Sequence, residues 1–368
     1  MSEGAVATAR RQFTVEGEFA MHLGGSLQQP TIAYETWGKL DEDRANAVLV
    51  FTGLSPSAHA ASSRDDPTPG WWEEIIGPGK PIDTRRYFVV CVNSLGSCFG
   101  STGPASIDPA TGELYRMKFP MLSLEDVARA GYETLGHLGI DRVYAIVGPS
   151  MGGMTTLAFE MLFPGMADAL VLMSTGTRSL PFSIALRSLQ REMIRKDPDW
   201  DEGNYPLDAP PLTGMRMARK LGMITYRSAE EWRLRFGRER VSAAHTEGDP
   251  FGIQFEVESY LDHHANKFIG QFDPNCYLYL SRASDLFDIA DHGASVKGSL
   301  AKVQASRALI IGVKTDFLFP IQQQQELAEG LSGNGRSVEY VELDSLQGHD
   351  SFLVDMDSYR PIIARFFA

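Results

Sequence analysis

The sequence predicts an α/β fold, a mostly parallel sheet with helices on both faces and a large helical insertion ahead of its last two strands. Three observations predict it. Six short apolar runs are continuous rather than alternating, amphipathic segments fall between them, and the stretch from 180 to 300 abandons that rhythm. A strand with one wet face alternates apolar and polar residues, whereas one covered by helices on both sides stays apolar throughout. Strand and helix in alternation then imply a doubly wound sheet.

The opening segment, FTVEGEFAMHLGGSLQQPTIAYETWG, reads as antiparallel β at one edge of the sheet. The buried runs follow as NAVLVFTGL (46–54), RYFVVCVNSLG (86–96), RVYAIVGPS (142–150), DALVLMSTG (168–176), RALIIGVKTD (307–316) and SVEYVELDS (337–345). Amphipathic helices are expected over 122–139, 154–165 and 320–333. Between 180 and 300, segments such as SIALRSLQREMIRK and GMRMARKLGMITYRSAEEWRLRFGRERV have helical period and many arginines. An insertion of that size reads as a helical lid over the C-terminal edge of the sheet, where open α/β sheets bind ligands. The expected division is therefore a core of 1–179 and 301–368 with a lid of 180–300.

Composition bounds the function. The chain has 368 residues, 43% hydrophobic and 22% charged, and no Pro/Gly/Ser linker divides it. A formal charge of −13 argues against nucleic-acid binding, which needs a basic face for the phosphates. Cys91, Cys98 and Cys276 form an odd, sparse set with no metal-ligand spacing, so no disulfide framework, no metal and a reducing compartment are expected. The start of the chain has no apolar leader segment, and nothing approaches a membrane-spanning run. A cytoplasmic protein is the expectation. His263 and His264 are adjacent, which suits a helix surface better than a metal pair, and Trp71–Trp72 is expected to pack a loop against the lid.

Within GPSMG, Ser150 stands between a buried strand and a helix as G-x-S-x-G, the nucleophile elbow, where glycines let backbones approach and the hydroxyl points to the open edge. A helix-capping serine would fit the same spot. A hydroxyl is a weak nucleophile without a base and an orienting carboxylate. In the chain order this arrangement requires, Asp316 ends a late strand and His349 follows the last one; Asp344 and Asp350 compete for the carboxylate role. The N–H of Met151, directly after the serine, is one oxyanion donor, and Leu54, just after an early strand, supplies the other.

At these residues the chain resembles the homoserine O-acyltransferase family of the α/β-hydrolase fold. YETWGKL, TGLSPSAHA, GPGKPIDTRRYFVVCVNSLGSCFGSTGP, GPSMGGM, ITYRSAEEWRLRFGR, KTDFLFP and GHDSFLVD are similar to its blocks in order. The resemblance implies a Ser150, Asp316 and His349 triad, an oxyanion hole at Leu54 and Met151, substrate binding by Arg219, Asp350 and Tyr226, a substrate-specificity loop at Gly53, Leu54, Ser55 and Pro56, and a homodimer. FTGLSPSAH and NSLGSCFGSTGP are similar to the serine O-succinyltransferase branch, which implies L-serine and succinyl-CoA as co-substrates, no cofactor, and a place in cysteine biosynthesis.

Chemistry supports part of this. An amino-acid acceptor needs a cation for its carboxylate and an anion for its ammonium, and Arg219 and Asp350 offer one of each. A succinyl group carries a carboxylate that acetyl lacks; Arg187, Arg191 and Arg195 share one helix face, and Arg187 is the candidate for acyl-CoA specificity. Arg195, Lys196 and Arg216 are available for the CoA phosphates. Homoserine acetylation or succinylation, an esterase or thioesterase, and a triad-bearing interaction protein are the rival readings.

Overall fold

Eight strands form one sheet, the inner six because their runs supply apolar residues to both faces. The two edge strands, RQFT at the start and SVEYVEL at the end, hold no buried residue. The 337–345 run expected to be buried is a half-exposed edge instead, with Glu339 and Glu342 interrupting its apolar residues. The structure, a computed structural model, describes residues 9–242, 249–333 and 335–368. The strands are β1 (Arg11–Thr14), β2 (Thr31–Trp37), β3 (Ala47–Phe51), β4 (Phe88–Val92), β5 (Val143–Pro149), β6 (Ala167–Met173), β7 (Arg307–Val313) and β8 (Ser337–Leu343). Their spatial order is β1-β2-β4-β3-β5-β6-β7-β8. The first two join antiparallel, Arg11 opposite Tyr34 and Tyr34 opposite Val92, and every later pairing is parallel. The antiparallel edge therefore lies where the opening segment predicts it. All five residues of β3 are buried. Leu49, Phe51, Leu170, Leu172 and Ile310 pack into one apolar cluster, and Val48, Val50, Val171, Leu309 and Ile311 into another on the opposite face. That alternation between two dry faces is why no polar period shows in the sequence.

Helices α1 (Leu124–His137) and α2 (Met151–Leu162) cover the first face, where Val127, Leu135, Leu157 and Phe159 join its core. Ser123 caps α1 in a reciprocal capping box with Asp126, two orphan amides being satisfied at once. The helix expected from 154 begins three residues earlier, at Met151, and is not amphipathic: every residue from Met151 to Glu160 is buried, because sheet and neighbouring helices enclose it.

From 180 to 300 the described residues carry α3 (Pro181–Arg195), α4 (Leu212–Tyr226), α5 (Ala229–Phe236), α6 (Glu256–Phe268), α7 (Pro274–Leu286) and α8 (Val296–Leu300), with no strand of the main sheet. Residues 243–248 of that expected lid lie outside the described residues, as do residues 1–8, on which the expectation of no leader segment falls. Then come α9 (Ile321–Leu331), α10 (Ser351–Val354) and α11 (Met356–Phe367), the last closing the second face with Tyr359, Ile363 and Phe367. Trp71–Trp72 belongs to this side rather than to the lid. Trp72 is 1% exposed, packs with Trp37 and Ile363, and donates its Nε1–H to Phe352 O at 2.9 Å, because a large indole is better buried in the second core than against a polar helix surface. Among the described residues no helix is long and apolar enough to cross a membrane.

Candidate active site

The site begins with a strained serine. Ser150 joins the end of β5 to the start of α2 with φ 54° and ψ −125°, a backbone region that costs a non-glycine residue about 1–3 kcal/mol. Its surroundings hold it there: the Ser150 N–H donates to Met173 O at 2.9 Å, and Thr175 Oγ1 donates to Ser150 O at 2.7 Å. A Cβ on Gly148 would stand 2.2 Å from Gly152 O, and one on Gly152 would stand 2.3 Å from Phe51 O. The elbow can turn this tightly only with glycine at both positions.

His349 meets that serine from the far end of the chain. Its Nε2 lies 2.8 Å from Ser150 Oγ, and its Nδ1 lies 2.8 Å from Asp316 Oδ2. The other carboxylate oxygen, Oδ1, accepts the N–H groups of Leu318 and Phe319 at 2.9 and 3.0 Å. With Nδ1–H held by the carboxylate, Nε2 is left to accept the serine proton. The ring is packed by Phe319, nearly parallel at 5.4 Å, and by Phe352 edge-on at 5.7 Å. Burial pushes the imidazole pKa down, but Asp316, by charge and by hydrogen bond, more than offsets this, and the net shift is upward. Gly348 at φ 63° makes the preceding turn, where a Cβ would stand 2.9 Å from Tyr226 O, so the α4–α5 junction and the histidine loop press together. Of the two competing carboxylates, Asp344 pairs with Lys314 at 2.7 Å on the surface and Asp350 with Arg227 at 3.3 Å.

The relay opens into a narrow cavity of about 50 Å³ whose lining includes Leu54, Met151, Arg187, Gln190, Tyr226 and Tyr277. Met151 is the first residue of α2, so its N–H has no intrahelical acceptor. Leu54 stands beside it on the loop that follows β3, with Gly53 buried and Ser55 and Pro56 half-buried. Tyr226 also borders a second, wider cavity of about 360 Å³ that includes Arg219, Arg227, Lys267 and Asp350. The Arg219 guanidinium lies 4.3 Å from the Phe268 ring centre and 5.9 Å from that of Tyr226, and its buried Nε has no hydrogen-bond partner. Burial raises the Asp350 carboxyl pKa against the pull of Arg227, His349 and Arg219.

The structure thus brings Ser150, His349, Leu54, Met151 and Arg187 to one cavity, with Asp316 buried behind His349, and Arg219 and Asp350 to its neighbour, with Tyr226 between them. Arg195 and Lys196 line a separate outward groove of about 560 Å³, with Arg191 and Arg282; Arg216 is not among its lining residues. Two residues escaped the sequence reading. Arg227 Nε sits 3.3 Å from Asp350 Oδ2, a pairing across 123 positions that no local pattern announces. His59, at the end of the Leu54 loop, places Nδ1 2.9 Å from Glu35 Oε2 and Nε2 2.9 Å from Thr68 O. It stood in plain view within TGLSPSAH, but its partners lie on other elements.

Comparison with known proteins gives the family and the fold. Residues 46–355 match the model of the alpha/beta hydrolase fold family. A serine O-succinyltransferase of Xanthomonas campestris pv. campestris (strain B100) is 54% identical over 374 residues, covering 99% of this chain and 98% of that protein. The chain belongs to the homoserine/serine O-acyltransferase family of the α/β-hydrolase fold. Among solved structures, a homoserine O-acetyltransferase from Bacillus anthracis superposes with TM-score 0.89 at 28% identity, over 97% of this chain and 96% of that one. Esterase E22 superposes with TM-score 0.88, also at 28% identity, over 98% and 99%. One backbone frame is therefore shared by proteins named for acyl transfer and for ester hydrolysis.

Proposed function

We propose that the chain is a serine O-succinyltransferase, moving the succinyl group of succinyl-CoA to the hydroxyl of L-serine through an acyl-enzyme on Ser150. The observation that carries this reading is the hydrogen-bonded Ser150–His349–Asp316 relay flanked by two guanidinium groups, Arg187 in its own cavity and Arg219 in the adjoining one. The name of the 54%-identical relative supports it.

In the first half-reaction His349 takes the Ser150 proton and the serine oxygen attacks the thioester carbonyl. The amides of Leu54 and Met151 hold the oxyanion, and CoA leaves as the thiol after His349 returns the proton. Arg187 meets the far carboxylate of the succinyl chain. In the second half L-serine enters the wider cavity, its carboxylate on Arg219 and its ammonium on Asp350, with Tyr226 beside both. His349 then takes the proton of the acceptor hydroxyl as its oxygen attacks the ester carbonyl, and returns it to Ser150 Oγ as the bond from Ser150 to the acyl group breaks. Loop 53–56 shapes the acceptor side, residues 180–300 act as the lid, and no resident cofactor or metal takes part. The enzyme works as a cytoplasmic homodimer in cysteine biosynthesis, with no nucleic-acid or membrane partner.

The test is a four-way assay, L-serine or L-homoserine crossed with succinyl-CoA or acetyl-CoA, following CoA release and identifying the ester by mass. Parallel double-reciprocal lines and a succinyl adduct on Ser150 are expected. A preference for homoserine or for acetyl-CoA, or CoA release without any acceptor ester, refutes the assignment.

A further inference from the structure

The wall of the relay cavity holds a buried charge cluster that does not balance. Arg187 donates from Nε to Asp285 Oδ1 at 2.6 Å and from Nη2 to Ser179 Oγ at 2.5 Å. Arg191, one turn further along α3, places Nη2 2.6 Å from the other Asp285 oxygen and donates from Nη1 to Ser281 Oγ at 2.8 Å. The side chains of Arg187, Arg191 and Asp285 are 13%, 7% and 3% exposed. Two guanidinium groups share one carboxylate, leaving one positive charge in excess in a place poor in water. Only Arg187 of the two faces the catalytic cavity; Arg191 faces the outward groove on the other side of the α3–α7 seam.

Had Asp285 met Arg187 alone, the cavity would present a neutral ion pair, and an incoming carboxylate would meet the Asp285 carboxylate as well as the guanidinium. Arg191 stands against Asp285 Oδ2 as an ion pair without an aligned hydrogen bond, and its charge takes up part of the carboxylate's. The Nη1 group of Arg187 makes no hydrogen bond among the described residues, so the guanidinium keeps donors for one more acceptor. We infer that Arg191, although it lines the outward groove rather than the acyl cavity, sets the preference for an acyl donor ending in a carboxylate by releasing Arg187 from full neutralisation by Asp285.

Arg191 is thus a positioning residue, and the inference rests on the succinyl reading above. Nearby charges do not restore the balance on the cavity side: His349 faces Arg187 with its proton shared toward Asp316, Asp350 pairs with Arg227, and the groove side holds the cations Arg282, Arg195 and Lys196 with the one anion Glu192 among its lining residues.

The experiment counts charge. The ratio of kcat/KM for succinyl-CoA over acetyl-CoA is measured in the wild-type chain, Arg187→Met, Arg191→Met and the double variant Arg191→Met/Asp285→Asn, with thermal melts to establish folding. Arg191→Met leaves the cluster neutral and is expected to lower the ratio about 10- to 100-fold, the worth of one charged hydrogen bond. The double variant restores one net positive charge on Arg187 and is expected to recover most of the ratio, although it carries two substitutions. A structural role alone predicts that the double variant is no better than the single. A ratio within threefold of wild type in Arg191→Met, or no recovery in the double variant, overturns the inference. Where Arg191→Met does not fold, the double variant decides alone: a ratio near wild type supports the inference, and one near that of Arg187→Met overturns it. A wild-type ratio near one sinks the succinyl reading itself and this inference with it, whereas a high ratio that Arg191→Met leaves untouched sinks only the inference.

Discussion

Replacing Asp316 by asparagine tests the relay at its least exposed member. The carboxylate has two oxygens with different duties, Oδ1 accepting the Leu318 and Phe319 amides and Oδ2 facing His349 Nδ1. An asparagine oxygen must take the Oδ1 position, because an amide NH₂ there would confront two N–H donors. Its NH₂ group then faces Nδ1, which can only accept, and the imidazole proton moves to Nε2. A protonated Nε2 donates to Ser150 Oγ instead of taking its proton. The same change removes the negative charge that holds the His349 pKa above its ordinary value. Wrong-tautomer substitutions of this kind lower kcat by about 10⁴-fold, equivalent to about 5 kcal/mol of transition-state stabilisation. The assay is steady-state CoA release with succinyl-CoA and L-serine, alongside a circular-dichroism melt to show that the loop still folds. Asp344→Asn, at a surface pair with Lys314, is the control and retains wild-type turnover. An Asp316→Asn enzyme within tenfold of wild type would refute the assignment of Asp316 as the orienting carboxylate.

Gly152→Ala sets a Cβ 2.3 Å from Phe51 O and 2.9 Å from Thr52 O, so backbone must move; overpacking of this kind costs about 1–3 kcal/mol. Because those carbonyls lead into the Leu54 loop, kcat is expected to fall along with the melting temperature, and an unchanged melt would contradict the contact. Glu160 is fully buried, with Oε1 unpartnered, and burial lifts its pKa to about 7. Its protonated form favours the folded state, so stability present below about pH 4.5 is lost as pH rises towards 7, by ~3 kcal/mol at 1.36 kcal/mol per pKa unit. Glu160→Gln should therefore melt like wild type at pH 4.5 and at a higher temperature at pH 8; equal melts at both would dismiss the shift. Arg219→Leu removes a half-buried guanidinium whose buried Nε is unpaired and is expected to raise the KM for L-serine about tenfold or more, with a smaller fall in kcat. Equal losses in succinyl-CoA and L-serine kinetics would assign Arg219 another role.

Much of this site is legible in one sequence because its parts sit at element ends. Ser150, Asp316 and His349 each follow a run that reads as a buried strand, and a parallel sheet delivers such positions to a common edge whatever lies between them. Legibility fails where a residue's role depends on a partner reached through the insertion. Arg187 is visible as one of three arginines on a helix face, but Asp285, almost a hundred positions away, splits that stripe: Arg187 and Arg191 turn to one carboxylate, while Arg195 lies over the Trp200 ring at 5.6 Å. Helix period shows which side chains share a face and says nothing about what that face meets. The same limit explains Arg227, whose tie to Asp350 depends on how the α4–α5 junction seats against the histidine loop, and Trp71–Trp72, whose second-face burial depends on a helix at the end of the chain.

The relay also cannot distinguish transfer from hydrolysis. Water and an amino-acid hydroxyl attack an acyl-enzyme by the same route, through the same histidine and the same oxyanion donors. A homoserine O-acetyltransferase and an esterase superpose on this chain almost equally well, at TM-scores of 0.89 and 0.88 and the same 28% identity, so the distinction is not a property of the backbone. It has to lie in what competes with water once Ser150 is acylated. Here the relay cavity is only about 50 Å³, while its neighbour offers a half-buried cation whose buried Nε is unpaired and, across Tyr226, a carboxylate beside the base. An acceptor held at both ends reaches His349 at an effective concentration that free water, lacking either handle, cannot match. On the proposed acceptor reading, the Arg219–Tyr226–Asp350 side of the site, rather than the triad, separates transfer from hydrolysis, and partition of the succinyl-enzyme between L-serine and water is the quantity that substitutions there are expected to change.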